Sequence, residues 1–262
     1  GGGRAGFGVG LGAWMKRGWF VAVGLLLGLL ACQAEPDVRQ LPTPQVIRFQ
    51  LASPLDWMRP ALADCAVQTG LALAEVRPAE NRPAQVSLVW GDPHLPQGTL
   101  TLLGEDVWLP VVQANNPLRS VQRADLPLFW GGELQTWGDL LLECSDCMPE
   151  NSLLQEPLRV WGYDPNSAEF AAWQAVAPDL VSWRALTGVA PNVAGLQEAI
   201  ANDPAALGFL PARWPLMEGV RRVEWDGVPP LPVLAWTESE PQADLLAWLG
   251  CVQTMAFSTT QP

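Results

Sequence analysis

The run Val46-Ile47-Arg48-Phe49-Gln50-Leu51 is patterned as a strand, and Ser53-Pro54 directly after it is a helix start. This succession of strand and helix signals, repeated along the chain, constrains the fold more than any other feature. Ser is a good N-cap and Pro suits the first helical turn. The segment PLDWMRPALADCAVQTG places Leu55, Met58, Leu62, Cys65 and Ala66 three and four apart and stops at Gly70, which is a helical stripe with a helix stop. Pro60 interrupts it, so the first turns are expected to be kinked or separate. LALAEVRP, AQVSLVWG and DVWLPVVQ read as strands. After turn chemistry at Asn115-Asn116-Pro117 a helix is expected around Arg123–Phe129. PLRVWGY is a strand; Asp164-Pro165-Asn166-Ser167 caps the helix AEFAAWQAVA; VAGLQEAIAND is a helix closed by Asp203-Pro204; ALGFLP is a strand. VRRVEWDGVPPLPVLAWTE is β-rich, and QADLLAWLGCVQTMAF is a terminal amphipathic helix. Strands alternating with helices define an α/β protein.

The stretch GWFVAVGLLLGLLACQAEPD precedes this region. Its apolar run, Trp19 to Ala31, has 13 residues, too few for the ~20 that cross a bilayer. Lys16-Arg17 stands before it and Met15 reads as the true start. A positive flank, a short apolar core and a small residue before the cut make a secretory signal. The ending Leu29-Leu30-Ala31-Cys32 resembles a bacterial lipobox, whose cysteine is lipidated and becomes the first mature residue. An ordinary signal peptide with a chance cysteine is the alternative. Residues 1–31 are thus expected to be upstream sequence and signal, and the polar, Pro-rich residues 32–45 a tether. The expected location is the extracytoplasmic face of a cell membrane, through a lipid on Cys32.

The 231 residues after the signal suffice for one large domain or two lobes. They hold 12 basic and 27 acidic residues, a net charge of −15. Such a surface repels nucleic acid. Lys16 is the only lysine, so every later cation is arginine. Trp is abundant (14) and Tyr single, and most of these indoles read as core or interface fillers.

Cys65, Cys144, Cys147 and Cys251 remain, an even number that favours disulfides in an exported chain. The simplest pairing is Cys144–Cys147 locally and Cys65–Cys251 across the chain. Cys144-Ser145-Asp146-Cys147 is also compatible with a redox pair or half a zinc site. It runs into Pro149 and polar residues, however, and the chain has one histidine, His94, and no second Cys-x-x-Cys. Zinc therefore lacks ligands. No metal, cofactor or catalytic group is expected: a triad has no setting, and no Gly-x-Ser-x-Gly elbow, P-loop or His-Glu-x-x-His occurs.

Residues 107–137 and 159–211 resemble the solute-binding proteins of bacterial ABC importers, in particular the phosphate-binding type. Asn116-Pro117 is followed, in that family's order, by Leu126, Phe129, Gly131 or Gly132, Leu134 and Trp137. Asp203-Pro204-Ala205-Ala206-Leu207-Gly208-Phe209 matches a late stretch in which a helix ends at Asp-Pro and a strand follows. With weaker agreement at 46–70 and 225–250, the resemblance covers roughly two thirds of the mature chain. It implies a two-lobed periplasmic-binding-protein (type II) fold with two crossover strands. Lobe one would comprise 44–112 and 212–262, and lobe two 113–211, with crossings near Val111-Val112-Gln113 and Leu210-Pro211. The first and last helices would then share lobe one, which suits a Cys65–Cys251 disulfide.

The resemblance also implies ligand between the lobes and a hinge closure. Unpaired N–H groups at helix N-termini suit an anion, and three starts fall in place: Ala52-Ser53, Asp164-Pro165-Asn166-Ser167 and Pro191-Asn192-Val193-Ala194. Trp90-Gly91-Asp92 and Trp161 are expected near the cleft as lining, or as a stacking platform for an organic ligand. Arg48, Arg119, Arg159 and Arg213 are possible anion partners. One departure stands out: the relatives' Ser-Gly-Thr is replaced by Asp164-Pro165-Asn166-Ser167, which removes an N–H and adds a carboxylate. The expected function is a lipid-anchored, monomeric receptor that passes a phosphate-like oxyanion to an ABC permease. The alternative is a ligand sensor or surface interaction protein that has lost phosphate binding.

Overall fold

The computed structural model describes residues 44–77, 83–91, 97–122, 126–141, 152–176, 186–226 and 230–258. The signal, Cys32, the tether up to residue 43, Asp92, Cys144 and Cys147 lie outside them.

The first of two five-stranded sheets contains β1 (Val46–Leu51), β2 (Ala72–Glu75), β3 (Val86–Trp90), β4 (Thr99–Asp106) and β12 (Leu231–Thr237). Its order is β2-β1-β3-β12-β4, with β1, β2 and β3 parallel and β12 antiparallel to both neighbours. Between β1 and β2 lie a 3-10 turn, Ser53–Met58, and helix α1, Arg59–Thr69. The change of helix type falls beside Pro60, whose missing N–H cannot continue a ladder. Gly70 ends α1 with φ 70°, the left-handed cap that glycine adopts without strain.

The terminal helix α6, Ala243–Phe257, packs beside α1. Trp248 is fully buried there and its indole N–H donates to the Leu62 carbonyl at 3.2 Å. A disulfide joins Cys65 of α1 to Cys251 of α6.

The second sheet contains β5 (Trp108–Gln113), β7 (Arg159–Tyr163), β8 (Leu186–Ala190), β9 (Ala206–Pro211) and β10 (Val220–Arg222), in the order β10-β5-β9-β7-β8. A small parallel pair, β6 (Ser120–Gln122) with β11 (Glu224–Asp226), accompanies it. Short helices α2 (Leu126–Gly131) and α3 (Trp137–Leu141) precede β7; α4 (Ala168–Val176) follows β7 and α5 (Val193–Asn202) follows β8. A Cβ on Gly208 would lie 2.9 Å from Leu196 of α5, whereas the next residue, Phe209, packs its ring 4.5 Å from Trp173 of α4. Successive residues of a strand face opposite ways, so α4 and α5 cover opposite faces of this sheet.

The crossings differ from the expected positions. The chain leaves the first sheet at Asp106 and enters the second at Trp108, so all of β5 belongs to the second sheet. The reason is its pairing with β9 along its length, Trp108↔Pro211 to Val112↔Leu207. The return is also later: β10 pairs with β5, and the chain rejoins the first sheet at Leu231.

Asp106 sits at the first crossing, 4 % exposed. Its Oδ1 accepts the Val107 N–H at 2.8 Å and its Oδ2 has no partner. Burial pushes its carboxyl up to about 7, against the pull of the Val107 N–H and of Arg213 and Arg222. A raised folded value means that its stabilising contribution is complete below the ordinary carboxylate range and is lost as pH rises through 7. The group is expected to make the protein about 2 kcal/mol more stable at pH 5.5 than at pH 8. Urea denaturation at both pH values should show this difference, and Asp106→Asn should remove it.

Candidate functional site between the sheets

Strands β1 and β3 are adjacent and parallel, as are β7 and β8. Ligand sites of open α/β sheets lie beyond the carboxyl ends of such strands. Four of the expected segments stand there: Ala52-Ser53 after β1, Trp90-Gly91 at the end of β3, Asp164 to Ser167 after β7, and Asn192 after β8.

Across the two sheets, the structure sets two of these four, the turn that begins at Ser53 and Trp90-Gly91, against α4, the helix that Asp164 to Ser167 precede. The Ser53–Met58 turn packs against α4. Gly91, at φ 82°, donates its N–H to the Pro232 carbonyl at 2.9 Å, and a Cβ on it would lie 3.4 Å from that of Ala175 in α4. Left-handed backbone and this close approach both favour glycine. The Trp90 ring lies 5.8 Å from Trp108, which in turn lies 5.6 Å from Tyr163. Asn192 starts α5, on the other face of the second sheet, where its Oδ1 accepts the Gly195 N–H at 2.9 Å.

The donors expected to receive an anion are largely engaged. Asp164 Oδ1 accepts the Asn166 N–H at 2.8 Å and the Asn166 Nδ2 at 3.1 Å. The Asp164 carbonyl accepts the Ser167 N–H at 2.8 Å, and Ser167 Oγ accepts the Phe170 N–H at 3.0 Å. These residues make a self-capped helix start. Ala52 donates its N–H to the Leu88 carbonyl at 3.0 Å and accepts from Leu55, with no side-chain cap on the turn that follows.

Three of the four candidate arginines have other side-chain partners. Arg48 donates to the Pro83 carbonyl, and Arg159 pairs with Asp203 at 2.9 Å. Arg213 stacks on Phe257 and Trp57, 4.9 and 5.8 Å from their ring centres, and donates to the Ala256 carbonyl. Arg119 is joined to β11 through its carbonyl, which accepts the Glu224 N–H at 3.0 Å. Trp161 covers Gly188, where a Cβ would meet its ring at 2.6 Å.

Four residues at the gap lie outside the expected set: Trp108, Tyr163, Glu169 and Trp173. Trp108 is fully buried between Trp90, Tyr163 and Trp173. Tyr163 donates its hydroxyl to the Phe209 carbonyl at 2.8 Å. Burial first, and the charge of Glu169 second, push its phenol well above the ordinary value. Glu169 is 2 % exposed, and its Oε1 has no hydrogen-bond partner. The helix itself carried a signal for Glu169: it falls at i of the buried stripe Glu169, Ala172, Trp173, Val176, where a carboxylate is out of pattern.

A separate cavity of about 580 Å³ lies at the opposite, amino-terminal ends of β7 and β9. It is lined by Asn115, Asn116, Glu156, Arg159 and Asp203 among others. Asn116 is structural there: its Nδ2 donates to the Pro204 carbonyl and its Oδ1 accepts the Leu118 N–H, both at 2.9 Å. The Asn-Pro and Asp-Pro motifs thus fasten each other and stand away from the gap between the sheets.

No protein-family model and no curated protein matches the sequence. Solved structures do. A substrate-binding protein assigned to phosphate ABC transport from Clostridium perfringens, with bound phosphate, superposes with a TM-score of 0.61 at 12% identity, covering 79% of this chain and 93% of that one. An ABC-type phosphate transport receptor from Vibrio cholerae gives 0.58 at 13%, over 82% and 100%. The CcmR regulatory domain from Synechocystis, in complex with 2-PG, gives 0.55 at 10%, over 80% and 99%. Binding proteins and a regulatory domain therefore share the architecture, and this chain has the α/β, two-sheet type II periplasmic-binding fold.

Proposed function

We propose that this chain is a solute-binding protein, held to the extracytoplasmic face of a membrane by a lipid on Cys32, that passes a small solute to an ABC permease. It acts by binding, as a monomer, without catalysis or cofactor. The observation that carries the proposal is the meeting of Trp90-Gly91 and the Ser53–Met58 turn of one sheet with α4 of the other, on a fold that phosphate-binding neighbours also use. A bare phosphate dianion is disfavoured as the ligand, because the start of α4 is already capped by Asp164 and Ser167 and carries the Asp164 charge.

The test is thermal stability against a solute panel: phosphate, sulfate, molybdate, organic anions, organic cations and neutral polyols. A true ligand at a hundredfold excess over its Kd is expected to add about 2.7 kcal/mol. The second reading, a surface interaction protein on the same fold, is favoured by the self-capped α4 start. It gains if every solute leaves the transition unmoved.

A further inference from the structure

We infer that the solute taken between the sheets carries a positive charge, a protonated amine or quaternary ammonium group, received by Glu169 and the aromatic faces around it; this rests on the solute-binding reading above. Glu169 is buried with Oε1 unpartnered, and among the described residues no arginine or lysine forms an ion pair with it. A carboxylate taken out of water needs a counter-charge or hydrogen bonds to offset its lost hydration. Its place in the first turn of α4 supplies part of that through the helix dipole. The same placement puts a carboxyl group at the helix end where an anionic ligand would have to sit.

The surroundings suit a cation. Glu169 shares the buried stripe of α4 with Trp173, and its charge acts on Tyr163. Trp173 lies 6.0 Å from Trp108, and Trp108 reaches Trp90 of the first sheet. Indole and phenol rings from both sheets thus form one connected group, and the buried carboxyl of Glu169 acts on its phenol, Tyr163. Their faces attract cations within about 6 Å. The net charge of −15 beyond residue 31 raises the local concentration of cationic solutes.

The probes are choline and tetramethylammonium, with 3,3-dimethyl-1-butanol as the uncharged isostere of choline and inorganic phosphate as the anion. Thermal shift and calorimetric titration at constant ionic strength read the outcome. Saturable binding of choline is expected, with the isostere at least tenfold weaker, and Glu169→Gln is expected to weaken choline at least tenfold with an unchanged circular dichroism spectrum. Equal binding of choline and its isostere, unchanged binding in Glu169→Gln, or binding of phosphate or polyols alone overturns the cation and leaves the solute-binding reading standing. No shift with any member of the whole panel overturns both. If Glu169→Gln does not fold, the comparison of choline with its isostere on the natural chain decides.

Discussion

Removing the Cys65–Cys251 disulfide is expected to cost the folded chain about 5 kcal/mol. The bond closes a loop of 186 residues, and the cost of closing a loop in the unfolded chain grows with its length. The loop contains the whole second sheet and four strands of the first, β2, β3, β4 and β12, with β1 before it. Cutting it therefore frees nearly the entire unfolded chain. In the folded state α1 and α6 keep their other contacts, including the Trp248–Leu62 hydrogen bond, so the native structure should persist while its margin shrinks. The double variant Cys65→Ala, Cys251→Ala should unfold at a much lower urea concentration than the oxidised natural chain. A difference below about 1 kcal/mol would show that the loop is already ordered when unfolded.

Trp108→Ala is expected to destabilise by about 3–5 kcal/mol, the usual cost of emptying a buried aromatic site. Trp108 is the first residue of the second sheet and is wholly buried. Its ring touches Trp90 of the first sheet on one side, and Tyr163 and Trp173 of the second on the other. Two consequences should separate in measurement. Calorimetry should show a lower melting temperature, and the two sheets should lose their common transition, because the ring that links Trp90 to Tyr163 is gone. Trp108→Phe, which keeps an aromatic ring, should restore a single transition. A melting temperature within about 2 °C of the natural chain's for Trp108→Ala would mean that the contact carries little of the coupling.

Much of the fold is readable from residues. Ser53-Pro54, Pro60 and Gly70 mark the turn, break and cap that the structure shows. Asn192 and Asp203 bound α5. Strand β4 escaped because its Thr99-Leu100-Thr101-Leu102 alternation turns both leucines outward, about half exposed, so its apolar side does not mark the core. Strand β8 is a five-residue sheet edge with Gly188 in its middle, a poor local signal. The sequence does not mark where the chain crosses between sheets, because β5 is buried at four of its six residues and reads alike wherever it is cut. At the gap, sequence points to loops and caps, since capping residues are recognisable locally. The aromatic group is assembled from β3, β5, β7 and α4, and only pairing across the chain brings it together. Glu169 is the exception, a charged residue inside an apolar stripe.

Amide hydrogen exchange on the folded chain, with and without a stabilising solute, tests binding between the sheets most directly. Slower exchange is expected jointly at Ala52–Leu55, at Trp90-Gly91 and through Asp164–Phe170. Slowing confined to the surroundings of Asn116, Arg159 and Asp203, where the separate cavity lies, or no solute-dependent change at any amide, would contradict it.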